Sequence, residues 1–213
     1  MGVKLKHASG NGTVIGAPAA NPSADITLKA PSTTGSAGQV LKVASANHSS
    51  TNAELEWAAD SSGLFSSYAI ITNELSAGTQ GGASTANAWT TYELNTELAD
   101  PSSIVSISSN QFTLAAGNYL VKWRIMLQNG ERAISRVYDV TNSAVRQYST
   151  AQYGVYTGQL CPGVARLTPS GSTAYKIEYY ADNTDGGAYG KGMDAPDDVA
   201  VTINAVVEIY KEV

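Results

Sequence analysis

Apolar residues occupy every second position in two long segments of the chain. In the first segment these positions are Tyr119, Val121, Trp123, Ile125 and Leu127. In the second segment they are Val201, Ile203, Ala205, Val207 and Ile209. A period of two indicates a β-strand with one buried face, because successive side chains of a strand point to opposite sides. Both segments are therefore predicted to be strands whose inner face carries these residues.

Shorter segments of similar composition fill much of the space between residues 63 and 213. The candidate strands lie at 64–71, 89–94, 104–107, 111–114, 132–140, 144–149, 158–167 and 174–180. Turn-forming residues such as Asn129-Gly130 and Pro169-Ser170-Gly171 separate them. No segment of this region shows the helical period of about 3.6 residues. Strands spaced about 8–12 residues apart predict an all-β sandwich or barrel.

Residues 1–62 have a different texture, rich in Gly, Ala, Ser and Pro and without a long apolar run. Their candidate anchoring positions are the scattered apolar residues Val14, Ile15, Val40, Leu41 and Trp57. So little apolar surface does not offset the entropy of ordering the segment alone. The sequence therefore predicts an extended, strand-poor N-terminal arm with short β elements at 1–62 and a globular head at 63–213. We expect sister subunits or a larger particle to hold the arm.

The net charge of −5 lies in the head, because the lysines and the acidic residues of positions 1–60 cancel. The chain has no basic stripe, which argues against a nucleic-acid partner. It also lacks the stretch of about 18 apolar residues that a transmembrane helix needs, so no membrane partner is expected. Structural, binding and catalytic roles stay open on composition alone.

The side chains that most often carry out catalysis are scarce. The only histidines are His7 and His48, and both lie in the arm, where no segment is able to build a pocket. Cys161 is the only cysteine and follows Leu160 in an apolar stretch, so we expect a buried, inert thiol. A hydrolase needs a nucleophile, a base and an orienting acid. An enzyme is therefore not expected, although paired carboxylates for glycoside hydrolysis stay open because their geometry is three-dimensional.

One predicted loop, at residues 182–198, is rich in acidic residues and glycine. Asp182 and Asp185 are its candidate calcium ligands, because carboxylate oxygens suit that ion. Their spacing does not match the EF-hand loop, so a solvated loop without a metal is the first interpretation. The sequence has no cluster of Cys and His for zinc, and no cofactor is expected.

Some outward positions of the predicted strands carry large side chains. The candidates for an oligomer interface are Met126, Tyr180, Val206 and Tyr210. Twelve tyrosines against two phenylalanines also indicate amphipathic surfaces, since tyrosine suits half-wet interfaces. An ordinary scatter of surface residues is the alternative explanation.

Two segments of the head resemble a known fold family. The run FTLAAGNYLV at 112–121 joins a strand, an Ala-Gly turn and an aromatic strand, and the last strand contains VVEIY at 206–210. These segments resemble the tumour necrosis factor-like and complement-head jelly roll over roughly residues 64–213. The resemblance implies a two-sheet jelly-roll β-sandwich of ten strands that forms tight trimers.

Three short elements of the arm resemble a segment of bacteriophage fibre proteins. In order they are DITLKAP at 25–31, GQVLKV at 38–43 and LEW at 55–57. The intervening turn at 44–52 departs from the fibre pattern because it contains no glycine. Val40, Leu41 and Trp57 are expected to form a small β-unit that becomes stable when three copies wrap together.

These resemblances imply a role without a catalytic mechanism. We expect a homotrimeric structural protein on the surface of a bacteriophage virion, with the arm attached to other capsid or tail proteins. The exposed knob would stabilise the particle or attach to a host surface. The short chain favours capsid decoration or a head fibre, which we place first, whereas the fibre-like arm favours a short tail fibre. The alternative is a glycan- or receptor-binding module of a tail fibre, in which tyrosine and tryptophan stack on sugars.

Overall fold

Strands make up all the regular structure in the part of the chain that the computed structural model describes. This part is residues 3–6, 12–15, 27–49, 52–59, 63–196 and 199–213. No helix that could cross a membrane occurs within it. The chain divides into two compact units, Met1–Ser62 and Gly63–Val213, which we call the N-terminal unit and the C-terminal unit. The all-β class predicted from the sequence is confirmed.

The described part of the N-terminal unit forms two small sheets. The strands are β1 (Val3–Lys6), β2 (Gly12–Ile15), β3 (Thr27–Lys29), β4 (Gln39–His48) and β5 (Asn52–Ala59). Strands β1 and β2 pair antiparallel with each other. Strand β5 lies in the middle of the second sheet, antiparallel to β4 and parallel to β3. In this sheet Val40 lies opposite Ala58, and Leu41 lies opposite Trp57.

The C-terminal unit forms two larger sheets from the strands that follow. They are β6 (Phe65–Ser76), β7 (Thr90–Thr91), β8 (Thr96–Ala99), β9 (Val105–Ser108), β10 (Gln111–Leu114), β11 (Tyr119–Gln128), β12 (Glu131–Asp139), β13 (Ala144–Tyr148), β14 (Gln152–Gly154), β15 (Gly158–Leu167), β16 (Thr173–Ala181) and β17 (Val201–Glu212). Most of these strands match candidates from the sequence, and β11 has the predicted bounds. Strands β8 and β14 were not predicted, because four and three residues are too few to establish a period.

The two sheets pack as a jelly-roll sandwich. One sheet has five strands in the order β15-β11-β17-β6-β8. The other has seven strands, five of them in the order β13-β12-β16-β10-β9, with β14 paired to β12 and β7 paired to β16. The chain passes from one sheet to the other between β10 and β11 and between β11 and β12. It does so again at each of the three connections from β14 to β17. The predicted jelly roll is confirmed by this strand order.

The first half of β17 corrects the predicted faces. Strict alternation placed Val201 and Ile203 in the core, but both side chains are exposed, whereas Thr202 and Asn204 are buried. The pairing of β17 with β6 shifts between Ile203 and Ala205, which marks a β-bulge or similar irregularity. An extra residue at a bulge reverses the faces on one side of it. Alternation is correct only for the second half of the strand.

The excess of tyrosine over phenylalanine belongs partly to the core. The largest fully buried side chains include Tyr92, Tyr119, Tyr175 and Tyr179. The Tyr92 hydroxyl donates to the carbonyl of Met126 at 2.9 Å, and the Tyr179 hydroxyl accepts from an amide at 3.0 Å. A buried hydroxyl is tolerated when it has such a partner. The excess of tyrosine therefore reflects buried positions as well as amphipathic surfaces.

Trp123 connects the two sheets through a short chain of hydrogen bonds. Its indole Nε1–H donates to Ser135 Oγ on β12 at 2.7 Å, and Ser135 Oγ donates to the carbonyl of Cys161 on β15 at 3.1 Å. All three residues are buried, so the network is shielded from water. The Cys161 thiol is buried as the sequence predicted, and burial raises its pKa to about 12.

Gly163 lies opposite Trp123 on β15, and its lack of a side chain makes room for the indole. A Cβ atom at this position would overlap the six-membered ring of Trp123. Gly163→Ala is therefore expected to lower the free energy of unfolding by about 1–3 kcal/mol, the usual cost of overpacking a core. Urea unfolding at a fixed protein concentration measures the change.

Gly171 provides the matched control, because a Cβ atom there would have no neighbour within 4 Å. Gly171→Ala is expected to change the free energy of unfolding by less than about 0.5 kcal/mol. Equal stability of the two variants would show that the indole of Trp123 does not pack against β15 as described.

Asp139 is a fully buried carboxylate at the end of β12, and it lines a polar pocket of about 430 Å³. Burial raises the pKa of the carboxyl, but hydrogen bonds from Asn142 and Arg146 outweigh burial and leave the pKa below its usual value. The backbone amide of Asn142 donates at 2.8 Å, and Arg146 Nε donates at 3.0 Å. The charged form of Asp139 is therefore stabilised in the folded protein.

Because the folded pKa is lowered, Asp139 stabilises the fold above the unfolded pKa of about 3.9 and loses this effect as pH falls through the folded pKa. Asp139→Asn is expected to cost about 1–3 kcal/mol at pH 6 and to flatten the fall in stability below about pH 4. Glu212→Gln breaks a more exposed pair with Arg166 and should cost less stability than Asp139→Asn, because solvent screens the exposed pair. Unfolding curves from pH 6 to pH 2 measure how the free energy of unfolding of each variant changes with pH. If this free energy fell with pH in parallel for Asp139→Asn and the unmodified protein, the role of Asp139 would be contradicted.

Candidate functional site

The outer side of the five-stranded sheet carries aliphatic side chains with charged ones among them. We call it the aliphatic face, and its defining residues are Leu120, Met126, Leu160, Val164 and Val206. They come from the three neighbouring strands β15, β11 and β17. Leu120 lies opposite Tyr210, Met126 opposite Leu160, and Val206 opposite Arg124. The residues therefore form one continuous surface.

Several apolar side chains of this face are open to solvent. Leu160 is 45% exposed, Val164 is 53% exposed, and Tyr68 at one end of the face is 45% exposed. A groove of about 620 Å³ runs across the face, with Pro162, Val164 and Val206 in its lining and residues 147–150 also lining it. Apolar surface grouped in this way is typical of a protein–protein contact.

The charged groups on the aliphatic face pair with one another. Arg124 NH1 lies 3.1 Å from Glu208 Oε1, and the Tyr210 hydroxyl donates to Glu208 Oε2 at 3.0 Å. This hydrogen bond to Glu208 is the main reason that the pKa of Tyr210 is raised. Lys122 lies 5.6 Å from the centroid of the Tyr210 ring. A partner covering this face would meet Arg124 and Glu208 already paired, whereas among the described residues Lys122 contacts the Tyr210 ring and no carboxylate.

The structure brings together three of the four candidate interface residues from the sequence. Met126, Val206 and Tyr210 share the aliphatic face, on β11 and β17. Tyr180 lies on β16 in the seven-stranded sheet and faces the other side of the sandwich. Leu160 and Val164 were not among the candidates. A signal for them was present, because the strand predicted at 158–167 has apolar residues on both of its faces.

The outer side of the seven-stranded sheet carries aromatic side chains. We call it the aromatic face, defined by Trp89, Tyr138, Tyr148, Tyr153 and Tyr180. The Trp89 ring centroid lies 5.6 Å from that of Tyr180 and 5.8 Å from that of Tyr148. Sequence analysis missed Trp89 because it precedes the two-residue strand β7, where no periodicity identifies a face.

Charged residues are interleaved with the aromatic rings on this face. The Arg136 guanidinium lies 3.9 Å from the centroid of the Trp89 ring and pairs with Glu178 at 2.7 Å. Lys176 also pairs with Glu178 at 2.7 Å, and Arg132 pairs with Asp182. Side-chain exposures of 12% for Arg136 and 6% for Glu178 show that this central pair is buried among its neighbours.

The candidate calcium ligands have other partners in the structure. Asp182 binds Arg132, and Asp185 Oδ1 accepts a hydrogen bond from the amide of Gly187 at 2.9 Å. Within the described residues, no group of three or more His, Cys, Asp or Glu side chains is arranged to hold a metal ion. Positions 197 and 198 of the acidic loop lie outside the described residues.

The candidate anchoring residues lie on both small sheets of the N-terminal unit. Val14 and Ile15 belong to β2, where their backbones pair with Lys4 and Val3. Val40 and Leu41 are exposed on β4, as is Leu28 on β3. Trp57 Nε1–H donates to the carbonyl of Thr33 at 2.9 Å, so the indole is held in place.

No protein-family model and no curated protein matches this chain. Among solved structures, the globular domain of zebrafish complement 1qA protein is 14% identical, with a TM-score of 0.44, and the match covers 68% of this chain and 95% of that domain. Eiger TNF from S. frugiperda is 12% identical, with a TM-score of 0.47 and coverages of 68% and 92%. PRD1 vertex protein P5 is 15% identical, with a TM-score of 0.41 and coverages of 71% and 99%. The fold assignment given above rests on the strand order of this chain.

Proposed function

We propose that this chain is a non-enzymatic structural protein of a bacteriophage virion that assembles as a homotrimer through the aliphatic face. The N-terminal unit attaches it to other virion proteins, and the C-terminal unit is exposed on the particle surface. Capsid decoration or a head fibre is the first assignment, ahead of a short tail fibre. The alternative function is a glycan- or receptor-binding module of a tail fibre.

The aliphatic face is the observation that carries the assembly role. Leu160 and Val164 stand open to solvent on the edge strand β15, beside the partly buried Met126 and Val206. Removing such side chains from water is favourable, by roughly 25 cal/mol per Å² of apolar surface. The resemblance of the head to trimeric jelly rolls supports three copies, and a cyclic arrangement closes the contact. We leave Tyr180 out of the interface because it lies on the opposite sheet.

The N-terminal unit supports attachment to other subunits. Leu28 is 62% exposed, and Leu41 and Val43 on β4 are also exposed, so a sheet of only three strands offers apolar residues to a partner. A sheet of this size gains stability when another surface covers it. Its sequence is also the segment that resembles phage fibre proteins, which supports placing the attachment here.

Light scattering on the full chain tests the assembly. The expected mass is three times the chain mass of 22.2 kDa. Val164→Lys places a charge on the aliphatic face and should raise the concentration at which the trimer dissociates by roughly tenfold or more, equivalent to about 1.4 kcal/mol.

Ser106→Lys is the control, because Ser106 is exposed on β9 of the other sheet. This variant should keep the mass of the unmodified protein. A monomeric unmodified protein, or a Val164→Lys variant that stays trimeric at every dilution, would contradict assembly through this face.

Immunogold electron microscopy of purified phage particles that carry this protein tests its place on the virion. Antibodies to the C-terminal unit are expected to label heads at many positions if the protein decorates the capsid. Labelling confined to tails would instead support the tail-fibre assignment, and particles without label would contradict a virion role. Mass spectrometry of separated heads and tails provides an independent measurement.

A further inference from the structure

The aromatic face differs from the aliphatic face in having no function under the assembly proposal. Its most exposed ring belongs to Tyr153, which is 74% exposed on β14. Tyr153 lies opposite Arg132, and Tyr180 lies opposite Ile134, two residues further along β12. Tyr148 lies opposite Arg136 after two more residues. The aromatic side chains therefore occupy successive rows of one sheet surface.

These rows form an elongated strip. Residues two apart in a strand are separated by about 6.6–6.8 Å along it, so the rows from Tyr153 to Tyr148 span roughly 13 Å. The Trp89 ring packs against Arg136 of β12 and contacts both Tyr148 and Tyr180, so it joins the aromatic side chains of the strands on either side of β12. A strip of this length is longer than one sugar ring and suits an extended chain of several rings.

The cations described on this strip have carboxylate partners. Arg132 pairs with Asp182, while Arg136 and Lys176 share Glu178. Each ion pair holds the donor groups of its cation in a fixed direction. The guanidinium groups of Arg132 and Arg136 keep further N–H groups that are available to a ligand. Arg132 is especially accessible, since its side chain is 81% exposed. The strip thus offers oriented hydrogen-bonding groups in which every cation contacts a carboxylate, with one positive charge in excess because Arg136 and Lys176 share Glu178.

We propose that the aromatic face binds a neutral oligosaccharide. A pyranose ring has a flat patch of C–H groups surrounded by hydroxyls, and the patch stacks on an aromatic ring while the hydroxyls bond to neighbouring polar groups. Tyr153 supplies the open stacking ring, Trp89 and Tyr180 supply the half-buried part of the strip, and Arg132 supplies donors. This inference does not depend on the oligomeric state.

The same features argue against other occupants. An acidic oligosaccharide would have to compete with Asp182 and Glu178, because each of the three cations of the strip already contacts one of these carboxylates, although Arg136 and Lys176 share Glu178 and leave one positive charge in excess. A protein that buries the strip would cover Arg132, whose side chain is 81% exposed, and would have to provide hydrogen bonds for the guanidinium N–H groups that Asp182 does not bind. Sugar hydroxyls supply such bonds at each position, because each is both a donor and an acceptor.

A glycan array that carries neutral, sialylated and sulfated oligosaccharides tests the proposal with the full chain. Binding to one or more neutral oligosaccharides is expected. Calorimetric titration with the best neutral ligand should then show at least about a tenfold loss of affinity for Tyr153→Ala, and a similar loss for Trp89→Ala. Tyr153→Phe keeps the ring and should keep affinity within about threefold, since only the hydroxyl is lost.

Tyr189→Ala is the matched control, because Tyr189 is an exposed tyrosine in a turn that belongs to neither sheet. It should bind like the unmodified protein. The proposal fails if no neutral oligosaccharide binds, if only acidic ones bind, or if Tyr153→Ala binds normally. Light scattering on the same samples keeps the two hypotheses apart: a trimer without glycan binding overturns this inference alone, and a monomer that binds glycan overturns the assembly alone.

Discussion

The sandwich buries one face of its five-stranded sheet, although both faces of the neighbouring strands β15, β11 and β17 carry apolar residues. Trp123 and Ile125 of β11 point into the core, while Leu120 and Met126 point away from it. Since a second sheet covers only one side, the other side stays in contact with water unless another molecule covers it. This constraint connects the fold to assembly. The outward residues of these strands are thus available to a partner. Pro162 lies on the edge strand β15 and has no backbone N–H, so another strand cannot simply pair with that edge.

The charged groups on the aliphatic face are arranged so that a partner is able to cover this face without destabilising the protein. A charge that enters an interface alone is costly, whereas one that brings its partner and its hydrogen bonds is tolerated. Glu208 receives bonds from both Arg124 and Tyr210, so its carboxylate has partners before any subunit arrives. In the proposed trimer such pairs would add little affinity, but they would fix the register in which two copies meet. The aliphatic residues around them would supply the free energy of association.

Local periodicity predicted much of this architecture, and its failures have physical causes. Strand β11 has the predicted bounds because its alternation runs without interruption through two paired neighbours. Strand β17 departs from prediction at its bulge, since an extra residue there reverses the faces of Val201 and Ile203 without any change in composition. The sequence also identified Tyr180 and Tyr210 as outward residues, but which sheet each one joins depends on long-range pairing. Local pattern cannot determine that pairing, because it is set by contacts between distant segments.

The two outer faces of the sandwich have opposite physical chemistry, and this difference supports a division of roles. Aliphatic side chains gain free energy from burial wherever they meet apolar surface, so they suit a permanent contact between copies. The aromatic face carries buried ion pairs such as Arg136–Glu178 beside exposed tyrosines such as Tyr153, whose rings carry a polar hydroxyl, so it is stable in water as it stands. Most of the aromatic face lies on the opposite sheet, so the proposed trimer would leave it open except near Tyr148, which also lines the groove on the aliphatic face. Three open copies on one particle would bind a repeated surface polymer with increased avidity, even if each single site is weak.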